Sequence, residues 1–250
     1  MIRSPSRLAS RFVLSAVVAV GLTGCDDAST GPSALVVAAE TEAALSVSGA
    51  LPTLPIVVER AVGRIDVEPE AASALEWARS LWVDAEAAPD PAAAEALRRS
   101  AYEAAAPVLA RTLKPEDIAA LRETLDHWVE AAGTAANGAE LPEVEAALRA
   151  GAALLAHAGR LERQGRVEQS VRALLEASDR LRETTPRAVA RRLIQQARER
   201  LASADADRIG EVDRRRAERL LNGAREALDG GDTVRAIRRA YYARQLLTAR

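Results

Sequence analysis

From residue 70 onward, apolar residues recur at three- and four-residue spacing, the period of a helix with one buried face. The pattern predicts eight helices, over residues 70–87, 91–110, 115–132, 142–164, 167–183, 186–204, 211–229 and 233–248. Pro69, Pro91, Pro115, Pro142 and Pro186 each fall where a first helical turn begins, a place where the missing N–H has no intrahelical use. Asp90 and Thr185 stand at N-cap positions, their side chains suited to bind the free amides of the first turn. Gly165 and Gly231 sit where one helix ends and the next begins, the place for left-handed backbone, with Gly133 a weaker instance. Such short connections make successive helices antiparallel neighbours. Upstream the pattern is poorer. Residues 34–45 fit a short amphipathic helix, and Leu51-Pro52-Thr53-Leu54-Pro55 excludes one. Val58, Ala61, Val62 and Ile65 have helical spacing within a β-branched stretch. The chain therefore divides into an ill-defined segment over 34–69 and an all-helical domain over 70–250.

Composition sharpens the fold class. Of 250 residues, 56 are alanine and only 3% are aromatic, so a core must come from closely approaching helices. Alanine is depleted in strands, which sets aside sandwiches, barrels and open sheets. One cysteine and two histidines exclude a disulfide framework and a Cys/His zinc module.

The start of the chain has its own logic. Arg3, Arg7 and Arg11 are followed by a largely apolar run at 12–21 (FVLSAVVAVG), too short to span a bilayer as a helix, and the two together read as a signal peptide. The run ends in Leu22-Thr23-Gly24-Cys25, which resembles the lipobox of bacterial lipoproteins. The resemblance implies that Leu22, Thr23 and Gly24 direct cleavage, that residues 1–24 are removed, and that Cys25 carries the lipid. It places the body in the cell envelope, periplasmic or extracellular, with the membrane as a partner through Cys25. Asp26 and Asp27 bias some enteric lipoproteins toward the inner membrane, a rule that varies between lineages, so inner and outer membrane both stay open. Cys25 is the only thiol, which removes free-thiol catalysis. Residues 25–33 form a polar, turn-rich tether.

Laying Gly165 on Gly231 reveals an internal repeat at an offset of 66 residues. Leu154, Leu155 and Ala158 fall on Leu220, Leu221 and Ala224; Ser170, Val171, Leu174, Ala177 and Leu181 fall on Ala236, Ile237, Ala240, Ala243 and Leu247. The stretch 220–247 resembles the tetratricopeptide pattern, with a small residue at Ala224, the turn Gly231-Asp232, and Ala236 and Ala243 across the hairpin. The family's aromatic and leucine positions in the first helix are not met, and Ser170 stands where alanine is expected. The resemblance implies degenerate hairpins in a short solenoid; a compact antiparallel bundle fits the same pattern.

Net charge is −2, and it conceals opposite halves. Residues 25–159 carry 9 basic and 22 acidic side chains; residues 160–250 carry 22 and 14. Halves of opposite sign can fold on each other, associate head to tail, or turn the basic end to an anionic surface. Arg214, Arg215, Arg216 and Arg219, with Arg238 and Arg239, are the densest basic cluster, and Tyr241 and Tyr242 follow them. These eight residues are the candidate partner contacts, through phosphate or carboxylate groups; alternatively they form a solvated face with pairs such as Asp213 to Arg216 and Arg214 to Glu218. Two tyrosines are too few for a nucleic-acid stacking platform.

No phosphate loop, nucleophile elbow or His-Glu-x-x-His motif occurs. His127 and His157 on adjacent antiparallel helices would differ in height by about 15 Å, too far to share a metal ion. His157, among alanine and leucine, is expected to pack, as are Trp77 and Trp82 with Leu75, Ala78, Leu81 and Ala85. The sequence thus points to a lipid-anchored, non-catalytic helical scaffold for an envelope protein partner, with no cofactor, metal or nucleic acid. The rival is a helical binding protein for a small apolar or anionic ligand, its cavity lined by Trp77, Trp82, Trp128, Tyr102 or His157.

Overall fold

The computed structural model describes residues 51–63, 68–136, 141–203 and 209–248. The leader, the Cys25 motif, the tether and the helix expected over 34–45 lie outside the described residues. Among those described are nine α-helices and no strand. They are α1 (Leu54–Val62), α2 (Pro69–Ala87), α3 (Pro91–Thr112), α4 (Pro115–Ala136), α5 (Pro142–Arg163), α6 (Val167–Leu181), α7 (Pro186–Ser203), α8 (Glu211–Asp229) and α9 (Thr233–Leu246), with a 3-10 turn at Arg182–Thr184 after α6. The all-α class and the antiparallel hairpins stand as the sequence pattern requires.

The prolines explain why the helix starts were readable. Asp90 accepts from the amides of Ala92 and Ala93 at 3.3 and 3.0 Å, and Thr185 from Ala188 at 3.4 Å. Asp232 caps α9 through Arg235 N at 2.9 Å. Two expectations are corrected. A helix does begin inside 51–55, at Leu54, because Pro55 falls in the first turn, where no amide is needed. Helix α4 does not stop at Ala132; it runs through Gly133, which has no left-handed backbone, to Ala136.

Two apolar cores hold the helices. The first joins α1 to α6 around Leu54, Leu75, Leu109, Leu125, Leu174 and Leu181, and takes in Leu51, ahead of the expected start of the helical domain. Each fully buried leucine contributes about 1.5–3 kcal/mol. Ser178 Oγ donates to the carbonyl of Pro52 at 2.9 Å, fastening this early segment to α6. The second core joins α7, α8 and α9 to Leu141 and Val144; Leu148 of α5 packs against both cores. Alanine does much of the work in the second: Ala190, Ala197, Ala217, Ala224, Ala236, Ala240 and Ala243 are all fully buried. Helices meeting on alanine approach closely, as the composition demands.

The closest helix pairs are the hairpins α2/α3, α5/α6 and α8/α9. Helix α3 packs on α6, α4 against both α5 and α6, and α7 against both α8 and α9. The hairpins α5/α6 and α8/α9 share one turn geometry. Gly165 and Gly231 have φ of 71° and 83°. Arg166 N donates to Leu161 O at 2.9 Å, and Asp232 N to Ala227 O at 2.8 Å, each 66 residues apart. Ser170 fits the alanine position because its hydroxyl donates to Ala158 O at 3.0 Å.

Candidate interaction surface

The eight candidate contact residues lie on α8 and α9, the second repeated hairpin, and they divide into two groups. Five are engaged within the hairpin. Arg214 pairs with Glu218 at 3.6 Å and Arg215 pairs with Glu211, both along α8. The expected Asp213 to Arg216 pair does not form. Arg239 Nη1 donates to the carbonyl of Gly223 at 2.8 Å, and a Cβ on Gly223 would meet that nitrogen at 2.3 Å. Gly223 therefore makes the seat for Arg239. Tyr241 accepts from Gln245 Nε2 at 2.9 Å and stands edge-on to Tyr242, with ring centres 6.3 Å apart. Arg244, which the sequence reading missed, is buried, with its guanidinium 5.3 Å from the Tyr241 ring centre and its Nη1 3.4 Å from Gln196 Oε1.

Arg216, Arg219 and Arg238 remain, and none has an ion-pair partner among the described residues. On α8, Val212, Arg216 and Arg219 follow one another at four and three residues and share a face. Val212 is 78% exposed. On α9, Arg238 stands one turn before the half-buried Tyr242.

The aromatic residues and histidines go to separate places. Trp77, expected in the core, is 57% exposed, and His157, expected to pack, is exposed on α5. Both misplacements have one cause: alanine populates inner and outer helix faces alike, so alanine neighbours do not fix the phase. His127 is also exposed. Trp128 is buried and donates to Thr184 Oγ1 at 2.8 Å. The ring of Trp82 lies 4.7 Å from the guanidinium of Arg182. Tyr102 borders an open cleft with Arg98, Arg172 and Glu176.

An ion network at the junction of α2, α3 and α6 carried no sequence signal. Arg182 forks onto Glu86 and also reaches Asp179 at 3.3 Å. Arg98 approaches Glu86 at 3.3 Å and Asp179 at 3.5 Å. The hydrogen bond from Arg182 holds Glu86 below its ordinary value of 4.5, and the same bond raises Arg182. Burial first, and the Asp179 charge second, push the Tyr102 phenol upward. Beside the network runs an open groove of about 680 Å³, walled by Ala146, Ala147 and Ala150 of α5. Two arginines there face two carboxylates, so the network joins the helices that carry them.

No described helix is long and apolar enough to cross a membrane. No group of three or more His, Cys, Asp or Glu side chains among the described residues is arranged to hold a metal ion. No family model, curated protein or solved structure matches the chain.

Proposed function

We propose that the chain is a lipid-anchored envelope protein whose hairpins form a non-catalytic scaffold, meeting a protein partner on the α8–α9 face. The observation that carries this reading is the set Arg216, Arg219 and Arg238, which have no ion-pair partner among the described residues, Arg219 exposed and the other two half-buried, with exposed Val212 on the same face of α8 and half-buried Tyr242 one turn further along α9. Arginine with aromatic and aliphatic neighbours is the composition of interface anchors, and its planar fork suits acidic groups on a partner. Anchoring rests on the lipobox resemblance at Leu22-Thr23-Gly24-Cys25. Two or three acyl chains at about 0.8 kcal/mol per buried methylene would hold the protein durably on a bilayer.

The test is site-specific photo-crosslinking in the host envelope, with the reactive group at position 219 and, as a control, at exposed Gln195 of α7. The expected result is one discrete protein adduct from position 219 that disappears in Arg216→Glu/Arg238→Glu and is absent from position 195. Equal adducts from both positions, or an adduct untouched by the double substitution, would contradict the reading.

A further inference from the structure

A second arginine cluster lies elsewhere, in a cleft between α4 and α5. Arg122, Asp126 and Val129 line one wall, one helical turn apart on α4. Ala152, Leu155, Ala156, Gly159, Arg160 and Arg163 line the other wall, at helical spacing on α5. The cleft holds about 500 Å³, within the range of about 300–1,000 Å³ usual for small-molecule sites. Its form follows from the residue sizes: alanine at 152 and 156 and glycine at 159 leave the space between the two helices unfilled.

The guanidinium groups of Arg122 and Arg163 converge at one end, and Arg160, one turn before Arg163 on α5, lines the same wall. A Cβ placed on Gly159 would stand 3.7 Å from Arg163 Nη1 and 3.9 Å from Arg122 Nη1, so both nitrogens look onto the same small space. Arg122 is committed to Glu162. Arg160 and Arg163 have no partner among the described residues. Two uncommitted guanidiniums match the charge of a phosphate monoester, about −1.5 to −2 at neutral pH, and their forks match its oxygens. Beyond the arginines, Val129, Leu155, Ala152 and Ala156 present apolar surface, and Asp126 adds one carboxylate to the wall.

We infer that the α4–α5 cleft binds a phosphate monoester bearing an apolar or neutral organic group, with the phosphate against Arg160 and Arg163 and the organic group along the alanine floor. The site is separate from the α8–α9 face and does not depend on it. A lipid and a soluble metabolite can both supply this chemistry.

Calorimetric titration of the full chain separates these sources. The probes are lysophosphatidate, glycerol 3-phosphate and monoacylglycerol, each below its aggregation concentration. Saturable binding of either phosphate compound at one site per chain, weakened about tenfold or more in Arg160→Ala/Arg163→Ala, is expected from losing charged hydrogen bonds. Asp126→Asn should tighten binding by relieving like-charge repulsion, and Arg216→Ala/Arg219→Ala should leave it unchanged. A preference for lysophosphatidate over glycerol 3-phosphate assigns a lipid, and equal affinity assigns a soluble phosphate. Monoacylglycerol binding as tightly as lysophosphatidate would overturn the inference. So would phosphate binding that survives Arg160→Ala/Arg163→Ala with helicity intact, or no binding of either phosphate compound.

Discussion

The Thr184 hydroxyl serves two helices, accepting from Trp128 Nε1 at 2.8 Å and donating to Leu181 O at 2.6 Å. It therefore ties α4 to the turn after α6. Thr184→Val leaves the buried indole N–H without an acceptor, at a cost of about 1–3 kcal/mol, whereas an ordinary hydrogen bond contributes only about 0.5–1.5 kcal/mol. Urea unfolding should show the loss in Thr184→Val, and combining it with Trp128→Phe should be less than additive. Glu86 gives a pH-dependent counterpart. Its carboxyl is held below its ordinary value of 4.5 by Arg182, so the folded state resists protonation that the unfolded chain accepts. The resulting stability is present above pH 4.5 and is lost as pH falls through the depressed folded value. Glu86→Gln should flatten the acid limb of the stability curve, read as urea midpoints from pH 6 down to about 3. None of this was legible beforehand, because Glu86 and Arg182 are 96 residues apart.

Helix boundaries were far more legible, because local chemistry writes them. Pro91, Pro115, Pro142 and Pro186 each open the helix the pattern assigned to them. The α1 start was missed because a Leu-Pro-Thr-Leu-Pro string reads as a breaker until Pro55 is recognised as first-turn. Glycine was ambiguous for a similar reason: its identity does not reveal the sign of φ. Gly165 and Gly231 are left-handed with open space around them, so substitution there strains backbone alone. Gly165→Ala and Gly231→Ala should each destabilise by about 1–2 kcal/mol, and by similar amounts if the two hairpins are equivalent. Gly133 also has open space but sits in right-handed helix, so Gly133→Ala should stabilise by about 0.5–1 kcal/mol. Opposite signs in thermal unfolding for the same chemical change would bear out the α4 extension. Gly151→Ala should destabilise for another reason, since its methyl would lie 2.7 Å from Leu181 Cδ2.

Across the whole chain, the opposite charges of the two halves meet along α3 and α6. Glu95 pairs with Arg180 at 2.7 Å and Glu103 with Arg172 at 3.0 Å, while Glu86 of α2 meets Arg182. Part of the polarity is thus spent on folding one half against the other. The pairs are partly exposed, and exposed pairs contribute at most about 1 kcal/mol each, so they set register more than stability. On the C-terminal helices Arg216, Arg219 and Arg238 have no ion-pair partner among the described residues, and the proposed scaffold contact falls there. The composition announced the all-α class and the hairpins, since an alanine-rich core permits little else. It could not announce the α4–α5 cleft, where residues from position 122 to 163 come together only after two helices pair. Attachment to a membrane underlies the whole functional proposal, and intact-mass and N-terminal peptide spectrometry of the protein isolated from its host envelope tests it most directly. A mature chain that begins at Cys25, carries the mass of acyl chains, and loses both lipid and membrane retention in Cys25→Ser is the predicted result. A chain that begins elsewhere, or a Cys25→Ser variant that stays acylated and membrane-bound, would contradict it.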